Sequence, residues 1–293
     1  MLYGKIGIPL DNYFLNMRLL HLFILIFCTY FISHSLLAEE DALELSGNFI
    51  QGGLVVGKVT PSSRIKINEH MVRVSVDGEF IIGFGRDYPA NATLTVLGQD
   101  GGEHQHALKI TQREYKIQHI NGLPKAQVSP DEKTLARIKQ ENKKISQARR
   151  KDEERMDFKA GFIWPTNGQV TGVFGSQRIL NGEPRQPHYG IDVAAPVGTP
   201  VVAPAAGVVS YVGDMYFSGG TLVLDHGHRL SSSFLHLDKV LVQVGQRVEQ
   251  GEKIALVGAT GRVTGAHLDW RMNWHGQRID PGLLMDELPD NNK

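Results

Sequence analysis

Cysteine is almost missing from this 293-residue chain, which holds a single one, Cys28. A disulfide framework is therefore excluded as the source of its stability. An excess of one charge sign is missing too. Lys+Arg and Asp+Glu number 31 each, so no global charge argues for nucleic acid as a partner. Clear amphipathic helices are absent from the C-terminal half, which argues against a helical bundle. What the chain has in quantity is glycine, at 32 residues, and that favours turns and β-rich structure. The length allows two compact domains at roughly 100–200 residues each.

The start reads as a targeting segment. Met17-Arg18 precede an apolar run from Leu19 to Ile32, followed by Ser33 to Ala38 and then Glu39-Glu40-Asp41. A basic region, a short apolar core and a small residue before a polar start describe a secretory signal, here residues 1–38 with cleavage after Ala38. The run is short for a membrane span; an uncleaved anchor is the only membrane attachment it would provide. Cys28 lies inside this segment and Tyr30-Phe31 follow it, so lipidation is not expected. The mature chain would be free of cysteine and periplasmic or secreted.

Residues 43–125 read as short strands between turns. Leu54-Val55-Val56, Ile65-Lys66-Ile67, Phe80-Ile81-Ile82 and Thr93-Leu94-Thr95-Val96 are the clearest, and Asp77-Gly78 is a hairpin signal. A small β-sandwich is expected, in which His104 and His106 are exposed. Residues 129–157 change character. Ser129-Pro130-Asp131-Glu132 marks a helix start, and Lys133 to Arg155 is charged, with only sparse apolar positions such as Leu135, Ile138 and Ile145. A charged helical linker with little to bury is expected. From residue 158 to 293 strands return, and an antiparallel β domain whose loops build a groove is expected. The fold class is mainly β.

Two motifs in that last segment carry chemistry. His188-Tyr189-Gly190-Ile191-Asp192 places an imidazole and a carboxylate four residues apart, just before the turn Ala195-Pro196-Val197-Gly198-Thr199-Pro200. His267-Leu268-Asp269 repeats the pair at i and i+2, which on a strand points both side chains to one face. His236 lies between them in Phe234-Leu235-His236-Leu237. Histidines and aspartates recurring on short β-like segments, with no cysteine among them, point to a metal site more than to a core.

Together with Thr264-Gly265-Ala266-His267-Leu268-Asp269, these motifs resemble the lysostaphin/LytM-like zinc metalloendopeptidases over about Gly161 to Pro281. The resemblance implies one Zn2+ per chain, metallopeptidase activity and the stem peptides of bacterial peptidoglycan as substrate. It makes His188 and Asp192 metal ligands, and His236 and His267 the catalytic pair. The family's third ligand, a histidine, falls here on Asp269. Carboxylate oxygen is an acceptable zinc ligand. One imidazole and two carboxylates would leave the site formally neutral, however, and would weaken the metal as a Lewis acid.

Three alternatives stand beside that expectation. Asp269 pairs with Arg271 on the same strand face instead of binding metal. Arg178 and Arg185, near the groove motif, read as solvated loop residues or as holders of substrate carboxylates. From another functional class, the domain is a metal-free module that binds cell wall or activates a separate hydrolase. His226, His228 and His275 have no usable spacing and read as surface residues.

Overall fold

The computed structural model describes residues 43–99, 101–122 and 129–285. The expected signal segment and Cys28 lie outside them, as does residue 123–128. The described part is mainly β, with one α-helix.

The first part of the chain builds two small antiparallel sheets. Glu44–Gly47, Leu54–Lys58 and Glu79–Gly83 form one; His70–Val72, Arg64–Ile67, Asn91–Leu97 and Glu103–Lys109 form the other. Alternating positions from both, including Val55, Ile65, Phe80, Ile82, Leu94 and Val96, are buried between them, as the period of two requires. The Asp77-Gly78 turn forms, with Gly78 at φ 83°. It does not close a hairpin, because the strands on either side of it belong to different sheets.

The last part of the chain is a ten-stranded, antiparallel sheet system whose central path runs through Gly207–Met215, Gly219–Asp225, Leu230–Val240, His267–Trp274, Ile191–Ala194 and Gln169–Gly172. The His267–Trp274 strand sets its geometry. Leu268, Trp270, Met272 and Trp274 point inward and are buried. By the same alternation His267, Asp269, Arg271 and Asn273 share the opposite face.

Both β parts share one apolar core. Phe80, Ile82 and Phe84 belong to the same buried cluster as Phe234, Trp270, Trp274 and Ile279. Strand Ile117–Ile120 also pairs in parallel with Gln177–Leu180, so the end of the first β part becomes the edge of the sheet next to the groove.

The helix forms at Glu132–Ala148, capped by the Asp131 side chain, which accepts from the Thr134 backbone N–H at 2.8 Å. It is less solvated than its composition implies. Ile145 packs with Met215, Val223 and Tyr211. Glu141 is buried and accepts from the Tyr216 N–H at 3.0 Å and from Arg137 Nε at 2.6 Å. At its end Arg149 donates from Nη2 to Ser233 Oγ at 2.7 Å. The sparse apolar positions suffice because ionic and polar contacts fasten the rest of the buried face.

Candidate metal centre and groove

The two motif aspartates are cross-strand neighbours: Asp192 of Ile191–Ala194 is directly opposite Asp269 of His267–Trp274. Like charges at such positions are destabilising, and both residues are buried, Asp269 to 1% exposure. Positive groups gather around them. Arg178 Nη2 donates to Asp192 Oδ2 at 3.0 Å. Arg271 embraces Asp269, with Nε 2.9 Å from Oδ1 and Nη2 2.5 Å from Oδ2. Burial works to raise the Asp269 pKa, but Arg271 and then His188 outweigh it and hold the carboxyl well below the usual range. Asp192 is also held low: burial and Asp269 push it up, and His188 and Arg178 overcome them.

His188 reaches the pair from the loop before its strand. The backbone fixes that loop, His188 N–H donating to Ser176 O and Gly175 N–H to His188 O, each at 2.8 Å. The ring is 1% exposed, and its Nε2 lies 3.1 Å from Asp192 Oδ1. Nδ1 is buried without a hydrogen-bond partner, and the buried Nε2 and Oδ1 have no hydrogen-bond partner besides each other. Native structures rarely leave such groups unsatisfied unless the site has a further use. His188, Asp192 and Asp269 each offer one donor atom, all within 4.8 Å of one another. No other such cluster occurs among the described residues.

Strict alternation along Leu230–Val240 would send His236 to the core with Phe234. A bulge prevents this. The register against Gly219–Asp225 shifts between Gly220 and Leu222, and His236 takes a left-handed φ of 65°, an uncommon conformation for this residue type. The ring turns instead to the groove, 4.8 Å from the ring of His267. A carbonyl oxygen can only accept, so each ring's Nδ1 carries a proton: His236 donates to Thr260 O at 2.8 Å, His267 to Gly265 O at 2.9 Å. Each Nε2 is thus an acceptor in the neutral ring. Burial pushes the His236 pKa down to about 4, keeping that ring neutral at pH 7.

These groups open into a pocket of about 180 Å³ lined by Asp192, His236, His267 and Arg178. Gln118 and Ile120, from the first β part, line it as well. No local pattern marks those two, since a long-range strand pairing brings them there. The pocket continues into a groove walled on one side by Leu135, Ile138 and Glu141 of the helix and on the other by Arg178, Arg262, Arg271 and Arg278. The sequence-expected residues therefore converge. The Asp269–Arg271 pair, the expected alternative to metal binding, forms in full. His226 and His228 are buried, contrary to expectation. His226 is held by Ala206 O at Nδ1 and Ser232 Oγ at Nε2, and His228 packs edge-on to Phe158. Only their tertiary setting reveals this, because both lie in a turn-like stretch of small and polar residues.

Convergent donors next to imidazole acceptors, in a groove on an antiparallel sheet, are the equipment of metal-dependent hydrolysis. Residues 186–281 match the model of Peptidase family M23 and form an M23 peptidase domain. The chain is 44% identical over 122 residues to "Peptidoglycan DD-endopeptidase ShyB" of Vibrio cholerae, a stretch covering 41% of this chain and 28% of that protein. To ShyA of the same organism, of the same description, it is 42% identical over 94 residues, 32% of this chain and 22% of that one. The chain thus spans about a quarter of the length of these curated relatives. A crystal structure of a putative peptidase M23 from Pseudomonas aeruginosa is similar at 29% identity and a TM-score of 0.64, covering 80% of this chain and 94% of that one. That likeness extends well beyond residues 186–281, into the first β part.

Proposed function

We propose that this protein is a zinc-dependent endopeptidase that hydrolyses the peptide cross-links of bacterial peptidoglycan. Catalysis is assigned to residues 158–293, with the sandwich at 43–125 and the helical segment at 129–157 shaping the groove. The observation that carries the proposal is the buried convergence of His188, Asp192 and Asp269, whose donor atoms lie within 4.8 Å of one another, with no hydrogen-bond partner for His188 Nε2 and Asp192 Oδ1 besides each other. These three residues fit a divalent ion: an imidazole and two carboxylates kept ionised by their neighbours. A carboxylate has about four lone-pair positions, so Asp269 can accept from Arg271 and still offer an oxygen. The Arg271 guanidinium also returns a positive charge beside a donor set that alone would neutralise the ion.

When bound, zinc supplies a Lewis acid that polarises a carbonyl and acidifies a water. His236 and His267 do the proton work. Their Nδ1–H bonds to backbone carbonyls fix the rings, leaving two Nε2 acceptors facing the pocket. One Nε2 takes the proton of the attacking water, and as an imidazolium that ring then donates to the developing oxyanion or the departing amine. Gln118, Ile120 and Leu180 narrow the pocket around the scissile bond.

The named activity of the Vibrio cholerae relatives and the match to family M23 support peptidoglycan as the substrate. Such a substrate places the protein in the periplasm or outside the cell, in keeping with residues 1–38 as a secretory signal. Among the described residues no helix is long and apolar enough to cross a membrane. The second reading, a metal-free module that binds cell wall or activates another hydrolase, draws on one observation: Arg271 already occupies both oxygens of Asp269. Digestion of cross-linked muropeptides separates the two. The proposal expects dimers to become monomers, a chelator to stop the reaction and zinc to restore it. Intact dimers after incubation with the zinc-supplemented protein would favour the binding module.

A further inference from the structure

The groove holds more positive charge than its acids balance. Asn273 and Arg278 are cross-strand partners between His267–Trp274 and Gln277–Ile279, while Ser233 is opposite Arg271. Arg278 therefore shares the groove face with Arg271, and Arg149 reaches the same patch from the helix through Ser233. Asp269 is the acid among them, and Arg271 engages it fully. Neither Arg149 nor Arg278 has an ion-pair partner among the described residues. Burial, followed by the neighbouring guanidiniums, lowers the pKa of both, that of Arg278 to about 10. Unneutralised cations held together in this way cost stability, which calls for a compensating role.

Arg278 is the best placed for one. Its guanidinium lies over the ring of Tyr189, 5.6 Å from the centroid. Its Nη1 is withdrawn from solvent without a hydrogen-bond partner. The side chain borders both the groove leading to His236 and a neighbouring cleft of about 560 Å³ that also contains Tyr189 and Gln186. An exposed surface arginine would satisfy its nitrogens with water; this one keeps a nitrogen buried and unsatisfied in the wall shared by the cleft and the groove that His236 also lines.

We propose that Arg278, backed by Arg271 and Arg149, is a carboxylate-binding subsite that selects stem peptides carrying free carboxylates beside the cleaved bond. This rests on the peptidase reading above and deepens it. A planar guanidinium can fork a carboxylate with two parallel hydrogen bonds, and the surrounding positive charge favours the ionised form of the ligand. A neutral bridge, such as one made of glycine, gives this subsite nothing to hold. Cross-links through diaminopimelate, which retain a free carboxylate next to the peptide bond, fill it.

The test is binding, kept separate from turnover by using a stem peptide with no cross-link to cut. L-Ala-γ-D-Glu-diaminopimelyl-D-Ala with free carboxylates and its fully amidated form are titrated calorimetrically into the purified mature chain. The free acid is expected to bind at least about tenfold more tightly. Arg278→Gln should bring that ratio close to one, whereas Arg278→Lys, which keeps the charge and loses the fork, should give an intermediate ratio. Equal affinity of the wild type for acid and amide, or no binding of either, would overturn the subsite. So would an undiminished ratio in Arg278→Gln. Failure of the muropeptide digestion would instead count against the peptidase reading, because this ratio does not depend on hydrolysis.

Discussion

Asp192 and Asp269 face each other across two hydrogen-bonded strands, where a sheet built only for stability would not place two acids. Every neighbour that makes the placement tolerable is a cation or a metal-ligand type of residue: His188, Arg178 and Arg271. His226 shows the opposite solution for a buried polar side chain. It is fully enclosed, hydrogen-bonded at both nitrogens and stacked edge-on against Phe162. Burial above all pushes its pKa down from 6.5 to about 4. Between these values the unfolded chain binds the proton and the folded chain does not. Stability is therefore full above pH 6.5 and falls as the pH drops toward 4. The loss attributable to this residue is about 3 kcal/mol by pH 4. Urea denaturation of wild type and His226→Leu at pH 7 and pH 4.5 checks it: the wild type should lose more stability on acidification than the variant.

At the scale of the element, placement of the catalytic groups depends on local departures from regular strands. The bulge at His236 aims that ring at the groove, and glycines clear the space next to the carboxylates. A Cβ at Gly172 would run into Asp192 Oδ2, and one at Gly190 would lie 2.6 Å from Asp269 Oδ1. Gly172→Ala is expected to keep the β-sheet circular-dichroism spectrum and to weaken zinc affinity at least about tenfold by displacing Asp192. Unchanged affinity on titration would show that the carboxylate does not need this clearance. These features divide what the sequence could reveal from what it could not. The His267–Asp269 spacing was legible because strand alternation maps it onto one face; His188 and Asp192 were legible as a pair of ligand types four residues apart, although His188 lies on the loop before the strand. The groove side of His236 was not legible, since a bulge reverses that mapping. The packed helix was missed for a related reason: its few apolar residues underestimate a contact made by Glu141, Arg137 and Arg149. Gln118 and Ile120 reach the pocket through a strand pairing with no local signature.

The whole molecule joins its two β parts through one buried core. Gly83 lies against Ile279 and Trp274, close enough that a Cβ would contact both. Phe84 and Trp274 belong to the same cluster. Separating the parts at residue 158 would expose Trp274 and Ile279 and remove the Ile117–Ile120 strand from its partner. Burying a large apolar side chain contributes about 1.5–3 kcal/mol, so a fragment of residues 158–293 is expected to melt several degrees below the mature chain. Scanning calorimetry of both proteins would reveal equal melting temperatures if the parts were independent.

The account stands most directly on the metal content of the purified mature chain and of its Asp269 variants. One zinc per chain is expected for the wild type. Asp269→Ala should lose it, and Asp269→His, which restores a neutral ligand at the same position, should retain it. A wild-type protein that takes up no zinc from a zinc-containing buffer would contradict the account, as would an Asp269→Ala variant that binds zinc as tightly as the wild type.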